Sequence, residues 1–195
     1  MPPKQKYTQE RILNAAFDLM RRKGINAVGA RPVAEELNCS TQPIFSYFKD
    51  MEDLKQALIK KAKDFYRSYV KRGLTHTIPF KGVGIEYINF AKDEPELFKL
   101  LYMSAYNTEM NSFLYFDDNK DIILDSLMDF SGLDKANAEK LYLMIWIFTH
   151  GIAVMYATNT ISFTETEISE LLGNAYLGYY IKIKSDIETG KGKLR

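Results

Sequence analysis

Thr41, Gln42 and Pro43 stand side by side in the chain, and together they offer the chemistry of groove recognition. The amide of Gln42 can give and take a hydrogen bond at an adenine edge, the Thr41 hydroxyl can bond a base or a phosphate, and Pro43 presents a rigid apolar face to a thymine methyl. Tyr47 and Lys49 follow within two turns and suit contacts to phosphate, which position a protein on a duplex without reading its sequence. Such side chains are useful only if a rigid element presents them together.

The hydrophobic spacing supplies that element, and it is helical almost throughout. Ile12, Leu13, Ala16, Phe17 and Met20 form one stripe of a helix over about 8–23. Gly24 ends it, after Arg21, Arg22 and Lys23 have complemented the negative end of the dipole. A short second helix fits 30–37, with Val33, Ala34 and Leu37 inward and Gly29 at its cap. Beyond Asn38 and Cys39, Ser40 is the expected cap of a third helix, through the Gln42 N–H. Pro43 would then sit third in that helix, where its missing N–H breaks no intrahelical bond. Asp50 caps a long fourth helix that keeps Leu54, Leu58, Ile59, Ala62, Phe65, Tyr66, Tyr69 and Val70 on period and ends near Gly73. Further helices are expected over 80–91, 95–107, 118–131, 135–159 and 165–188. No alternating strand pattern and no repeat appears, so the fold class is all-α.

The 195 residues carry 26 Lys and Arg against 25 Asp and Glu, a formal net charge of +1. That near-neutrality is a cancellation. Residues 1–72 hold 15 basic and 8 acidic side chains and residues 73–195 hold 11 and 17, so a module at +7 adjoins one at −6. The asymmetry predicts a basic module that meets a polyanion and an acidic one that does not. With Pro79, Gly82 and Gly84 loosening the stretch 76–84, the organisation expected is a reader over 1–50, a connecting helix over 51–73 and a helical module over 74–195. At 46% apolar and 13% aromatic residues the composition is globular, not disordered. A lone Cys39 cannot close an internal disulfide, and no apolar run follows the charges of the first six residues, so a reducing, cytoplasmic setting is expected.

Two helices joined by a tight turn, supported before and behind and carrying net positive charge, form the pattern of a helix-turn-helix DNA reader, whose second helix enters the major groove by its N-terminal residues. The run Tyr7-Thr8-Gln9-Glu10-Arg11-Ile12-Leu13-Asn14-Ala15-Ala16-Phe17-Asp18-Leu19 is followed by Lys23-Gly24-Ile25 and Val33-Ala34-Glu35-Glu36-Leu37. Ser40, Ile44-Phe45-Ser46-Tyr47-Phe48-Lys49-Asp50 and Glu52-Asp53-Leu54 complete it. In order, spacing and residue class this resembles the N-terminal domain of the TetR/AcrR family of transcriptional regulators over about residues 7–58. The resemblance implies DNA contacts from Thr41, Gln42, Pro43, Phe45, Ser46 and Tyr47, with Arg31 adding one from the second helix and Ser40 beside them. Met51 departs from the Lys or Arg common at its position, which leaves Lys49 and Lys55 to compensate. Gly29 departs from the usual Ser or Thr cap, at a cost of about a few tenths of a kcal/mol.

The resemblance also implies a C-terminal domain that binds a small effector and forms a homodimer by packing its last two helices with their mates as a four-helix bundle. Trp146, His150 and Gly151 resemble a Trp-x-x-x-His-Gly motif of one subset of such domains, although a satisfied core or interface histidine is the competing reading of His150. The stretch 141–157 is interrupted only by Thr149, His150 and Gly151 and falls short of the roughly 20 apolar residues of a membrane span. A helix apolar on nearly every face is otherwise buried, in a core or between subunits. Phe65, Tyr69, Phe98, Tyr102, Trp146 and His150 are the pocket candidates for a small apolar or aromatic effector, and the same aromatics equally suit a core. The fourth helix is expected to touch both modules. A ligand beside it would then alter the spacing of two readers that must stand about 34 Å apart to fit successive major grooves of a palindromic operator.

The expected function is that of a sequence-specific repressor released by its effector, with double-stranded DNA and a second copy of the chain as partners and no membrane. A DNA-binding dimer without an effector is the alternative, and a helical enzyme or carrier is a distant third. Two His and one Cys are too few for the usual structural zinc site. Asp117-Asp118-Asn119-Lys120-Asp121 opens like a calcium loop, but Ile122 stands where Gly is needed and Met128 where Glu is needed. No Gly-rich phosphate loop, Gly-x-Ser-x-Gly or His-Glu-x-x-His is present. No catalytic residue, cofactor or metal is expected.

Overall fold

A computed structural model describes residues 7–104 and 120–190. Among them the chain is all-α, with helices α1 (Gln9–Lys23), α2 (Ala30–Glu36), α3 (Gln42–Phe45), α4 (Met51–Leu74), α5 (Pro79–Asp93), α6 (Pro95–Tyr102), α7 (Lys120–Ser131), α8 (Lys135–Ala157) and α9 (Glu165–Glu188). The helical residues expected at 105–107 and 118–119, and the acidic run 117–119, lie outside the described residues. The described residues divide into two compact units, one of 7–66 and 94–104, the other of 67–93 and 120–190.

The first unit contains α1, α2, α3, the greater part of α4, and α6. Thr8 opens α1 by accepting the Arg11 N–H at 3.2 Å. Gly24 closes it with φ 78° and its N–H on the Met20 carbonyl at 2.7 Å, a conformation that strains any residue with a Cβ. A 3₁₀ turn over Ile25–Ala27, invisible to the hydrophobic spacing, then leads to Gly29 and α2. The core joins Ile12, Ala16 and Met20 of α1 to Val33 and Ala34 of α2, Ile44 of α3, Phe48, and Leu54 and Leu58 of α4.

The sequence placed α6 with the later helices, yet it packs in the first unit. Leu97, Phe98, Leu100 and Leu101 are all buried there, α6 lies against α1, and Tyr102 meets the Tyr66 ring edge-on at 5.9 Å. Arg21 of α1 grips Glu94, just before α6, with both ends of its guanidinium, the Nε bond being 2.8 Å. A planar fork on a nearly buried carboxylate fixes direction as well as distance.

In the second unit α8 packs against α5, α7 and α9. Among the described helices it is the one long and apolar enough to cross a membrane by composition. Its buried residues, Ala138, Leu141, Tyr142, Ile145, Thr149, Ile152, Ala153 and Ala157, recur at helical spacing and so occupy one face. Thr164 and Glu167 start α9 with a reciprocal capping box.

The last turn of α4 and the first of α5 meet backbone to backbone. A Cβ on Gly73 would stand 2.5 Å from the Val83 Cα, and one on Gly82 would strike the Gly73 carbonyl and the His76 side chain. Arg72 and Glu86 brace the same crossing, with Nε donating to Oε2 at 2.9 Å. Two residues from Gly82, a Cβ on Gly84 would make only an ordinary 3.5 Å contact with Leu172. Gly82→Ala should therefore destabilise the chain by about 1–3 kcal/mol through overpacking. Gly84→Ala should stabilise it by roughly 0.5–1 kcal/mol through helix propensity. Denaturant unfolding of the two variants checks the opposite signs.

Candidate nucleic-acid interface

The reading element is very short, and packing holds it in place. In α3 and the turn after it, Ile44 and Phe48 point into the core at 0% and 2% exposure. Their period leaves Gln42, Phe45, Ser46 and Lys49 outward, with Thr41, Pro43 and Tyr47 half-buried. Phe45, at 47% exposure, is a large apolar side chain presented to solvent. Arg31 and Ser40 are exposed, and Lys55 is half-buried on the second turn of α4. All ten belong to one unit, from the first turn of α2 through α3 to the second turn of α4.

Several local expectations need correction. The cap of α3 is Thr41 and not Ser40, and no side chain caps it. The helix starts one residue late, which makes Pro43 its second residue, still within the turn where no N–H is required. The tight turn depends on Asn38, whose φ of 51° few non-glycine residues adopt and asparagine tolerates. Asp50 does cap α4, accepting the Asp53 N–H at 2.9 Å, while the Asp53 carboxylate accepts the Lys49 N–H at 3.0 Å.

Tyr47 is tied into the protein by a bond that its type alone did not suggest. Its hydroxyl donates to the Tyr7 carbonyl at 2.9 Å. Tyr7 in turn donates to the Asn38 carbonyl at 3.5 Å, and the Arg11 guanidinium stands over its ring at 5.5 Å. Tyr7, two residues before α1, is thus held to both ends of the turn-and-reader segment. Sequence reasoning missed this role for Tyr7 because the bond spans 40 positions, although a tyrosine at N′ of a helix was a visible cue.

The six pocket candidates do not gather in one unit. Phe65, Phe98 and Tyr102 belong to the first, where Phe98 is fully buried against Tyr102 and Phe65 packs on Phe17. Tyr69, Trp146 and His150 belong to the second. There Tyr69 packs edge-on against Phe90 and donates toward Asp93 at 3.4 Å. Trp146 and His150 stack at 4.8 Å and 13° between planes, and the Tyr87 hydroxyl sits 2.9 Å from His150 Nδ1. Among the described residues no three His, Cys, Asp or Glu side chains converge as a metal would require.

Burial pushes the His150 imidazole below the ordinary histidine value of 6.5. A neutral ring can accept the Tyr87 proton at Nδ1, and an imidazolium cannot. Below pH 6.5 the unfolded chain binds a proton that the folded one resists, so the contribution of His150 to stability is present above 6.5 and is lost as pH falls through the depressed value. Thermal melting between pH 7.5 and 5 should show a steeper acid loss for the natural chain than for His150→Gln.

Other chains share these features. Residues 12–58 match the model of the bacterial regulatory proteins of the tetR family. An "uncharacterized HTH-type transcriptional regulator YvkB" of Bacillus subtilis (strain 168) is 40% identical over 52 residues, a segment that spans 27% of this chain and only 28% of that relative. In fold, a TetR-like transcriptional regulator from Rhodococcus sp. RHA1 superposes with a TM-score of 0.63 at 13% identity, over 89% of this chain and 96% of its own. A putative TetR-family regulator from Mesorhizobium loti MAFF303099 gives 0.57 at 16%, over 89% and 97%. A single-substitution variant of TetR from Acinetobacter baumannii AYE, solved in complex with minocycline, gives 0.53 at 12%, over 94% and 98%. Residues 12–58 thus match the reader of the tetR family in sequence, and the helical architecture of the chain is that of these TetR-like structures.

Proposed function

We propose that the protein is a homodimeric transcriptional repressor that reads a palindromic operator with α3 and releases it when a small apolar or aromatic molecule binds the second unit. The observation that carries the DNA reading is the reader's polarity. Ile44 and Phe48 are buried, so Gln42, Phe45 and Ser46 face outward beside Arg31 on a module whose sequence is net basic. Gln42 reads a base edge, Phe45 and Pro43 supply apolar contact, and Arg31, Lys49 and Lys55 meet phosphates. Such a protein works where the DNA is, in a bacterial cytoplasm.

Dimerisation is supported by apolar side chains left outside the core. Met144, Ile147 and Met155 on α8 recur at helical spacing around Gly151, and Leu177 and Ile181 do so on α9 beside Gly178. Ile147 and Ile181 are each 57% exposed, and a Cβ on either glycine would meet nothing within 4 Å. Apolar stripes of this kind on two long helices suit a four-helix bundle with a second copy. The effector reading draws on the stacked Trp146 and His150, and on the minocycline held by the A. baumannii neighbour.

A titration of duplexes drawn from a randomised pool, at two salt concentrations, tests the reading. One palindrome should be selected, and its affinity should fall steeply with salt. Equal, weak binding to all duplexes overturns sequence-specific recognition. Gln42→Ala should cost about 1–3 kcal/mol at one base pair of each half-site and relax the preference there. In sedimentation, the pair Ile147→Glu and Ile181→Glu should turn dimers into folded monomers that no longer hold the palindrome.

A further inference from the structure

We infer, on the footing of the DNA reading above, that Tyr7 is a positioning residue for operator recognition: it sets the tilt of α3 through Tyr47 and the α2–α3 turn, without a DNA contact of its own. One residue ahead of α1 holds both ends of the reader. The Tyr47 hydroxyl, two residues past α3, donates to the Tyr7 carbonyl at 2.9 Å. The Tyr7 hydroxyl donates to the Asn38 carbonyl, in the turn before α3, at 3.5 Å.

The shape of the reader gives this clasp its work. α3 has four residues, no side chain caps its start, and Ile44 and Phe48 are the anchors that sink into the core. Two anchors on one face fix where a helix lies, yet they let it rock about the line that joins them. Resistance to rocking must come from off that line. Residue 7 can supply it because it is itself well held. Thr8 accepts the Arg11 N–H at 3.2 Å and so fixes the start of α1, and the Arg11 guanidinium stands over the Tyr7 ring at 5.5 Å. Ile12, Ala16 and Met20, all fully buried, fasten α1 in turn.

Tilt matters unequally to the two kinds of DNA contact. A hydrogen bond to a base edge needs about 2.7–3.2 Å and an angle above about 120°, so a rocking reader loses it. The attraction of a basic side chain to phosphate falls only as the inverse of distance, and a long lysine stem follows a displaced backbone. Rocking therefore erodes specific binding and spares the non-specific kind. Apparent affinity for the operator scales with the fraction of chains whose reader is correctly tilted.

The test compares two duplexes, the palindrome that the natural full-length chain selects from a randomised pool and a scramble of the same composition. Tyr47→Phe removes the hydroxyl that reaches residue 7, and Tyr7→Ala removes the hydroxyl that reaches Asn38 together with the ring under Arg11. Each should weaken binding to the palindrome about two- to tenfold, the worth of one hydrogen bond, and leave the scramble unchanged. A fraction of unfolded chains would lower both affinities alike, so their ratio separates tilt from stability even where a variant folds poorly. Because both ties act through residue 7, the double variant should lose hardly more than the worse single one. Equal losses on both duplexes would make these tyrosines phosphate contacts and overturn the inference while leaving the DNA reading intact, as would an unchanged ratio. Losses that multiply in the double variant overturn the single clasp. Failure of the natural chain to select any duplex overturns the DNA reading itself, and this inference with it.

Discussion

Burial of Ile44 is the constraint on which the reading surface depends. A helix of four residues cannot be stable alone, because nucleation costs more than so few hydrogen bonds return. It exists because Ile44 and Phe48 seal the core formed by Ile12, Ala16 and Met20 with Val33, Ala34 and Leu54. Inward placement of those two dictates the outward placement of Gln42, Phe45 and Ser46. The orientation of the outward side chains is thus secured by apolar packing beneath them, and any loosening of that core would blur it.

Within each unit, polar contacts then fix how neighbouring pieces meet. Arg21 and Glu94 fasten α6 to α1, the Tyr47–Tyr7 bond fastens the start of α1 to the end of the reader, and Arg72–Glu86 braces the backbone crossing at Gly73 and Gly82 in the other unit. Each joins elements that hydrophobic area alone would leave free to slide. Hydrogen-bonded forks and single well-aligned donors add direction, which dispersion between apolar surfaces does not.

Much of this was legible in the residues. The helical period located α1, α4, α8 and α9 to within two residues, since long runs of apolar residues on helical spacing leave little latitude. The net charge of +7 over residues 1–72 singled out the module whose surface presents Arg31, Lys49 and Gln42. Legibility ended where a feature depends on distant partners. The cap of α3 is Thr41 and not Ser40, and the six aromatics grouped as one pocket fall into two units, since their periodicity is also that of core packing.

The sequence by itself determined the all-α class and the order of the helices. These follow from local rules of period, capping and residue chemistry, which act over a turn or two. Only the tertiary structure decided that α6 belongs with the reader, that Tyr47 holds Tyr7, and that Gly73 and Gly82 must be glycines. Each of these turns on a contact across 9 to 73 positions, and side-chain type does not reveal which of many distant donors, acceptors or backbones will lie within reach. Packing the chain into a small volume makes that choice, and it is made once for the whole molecule.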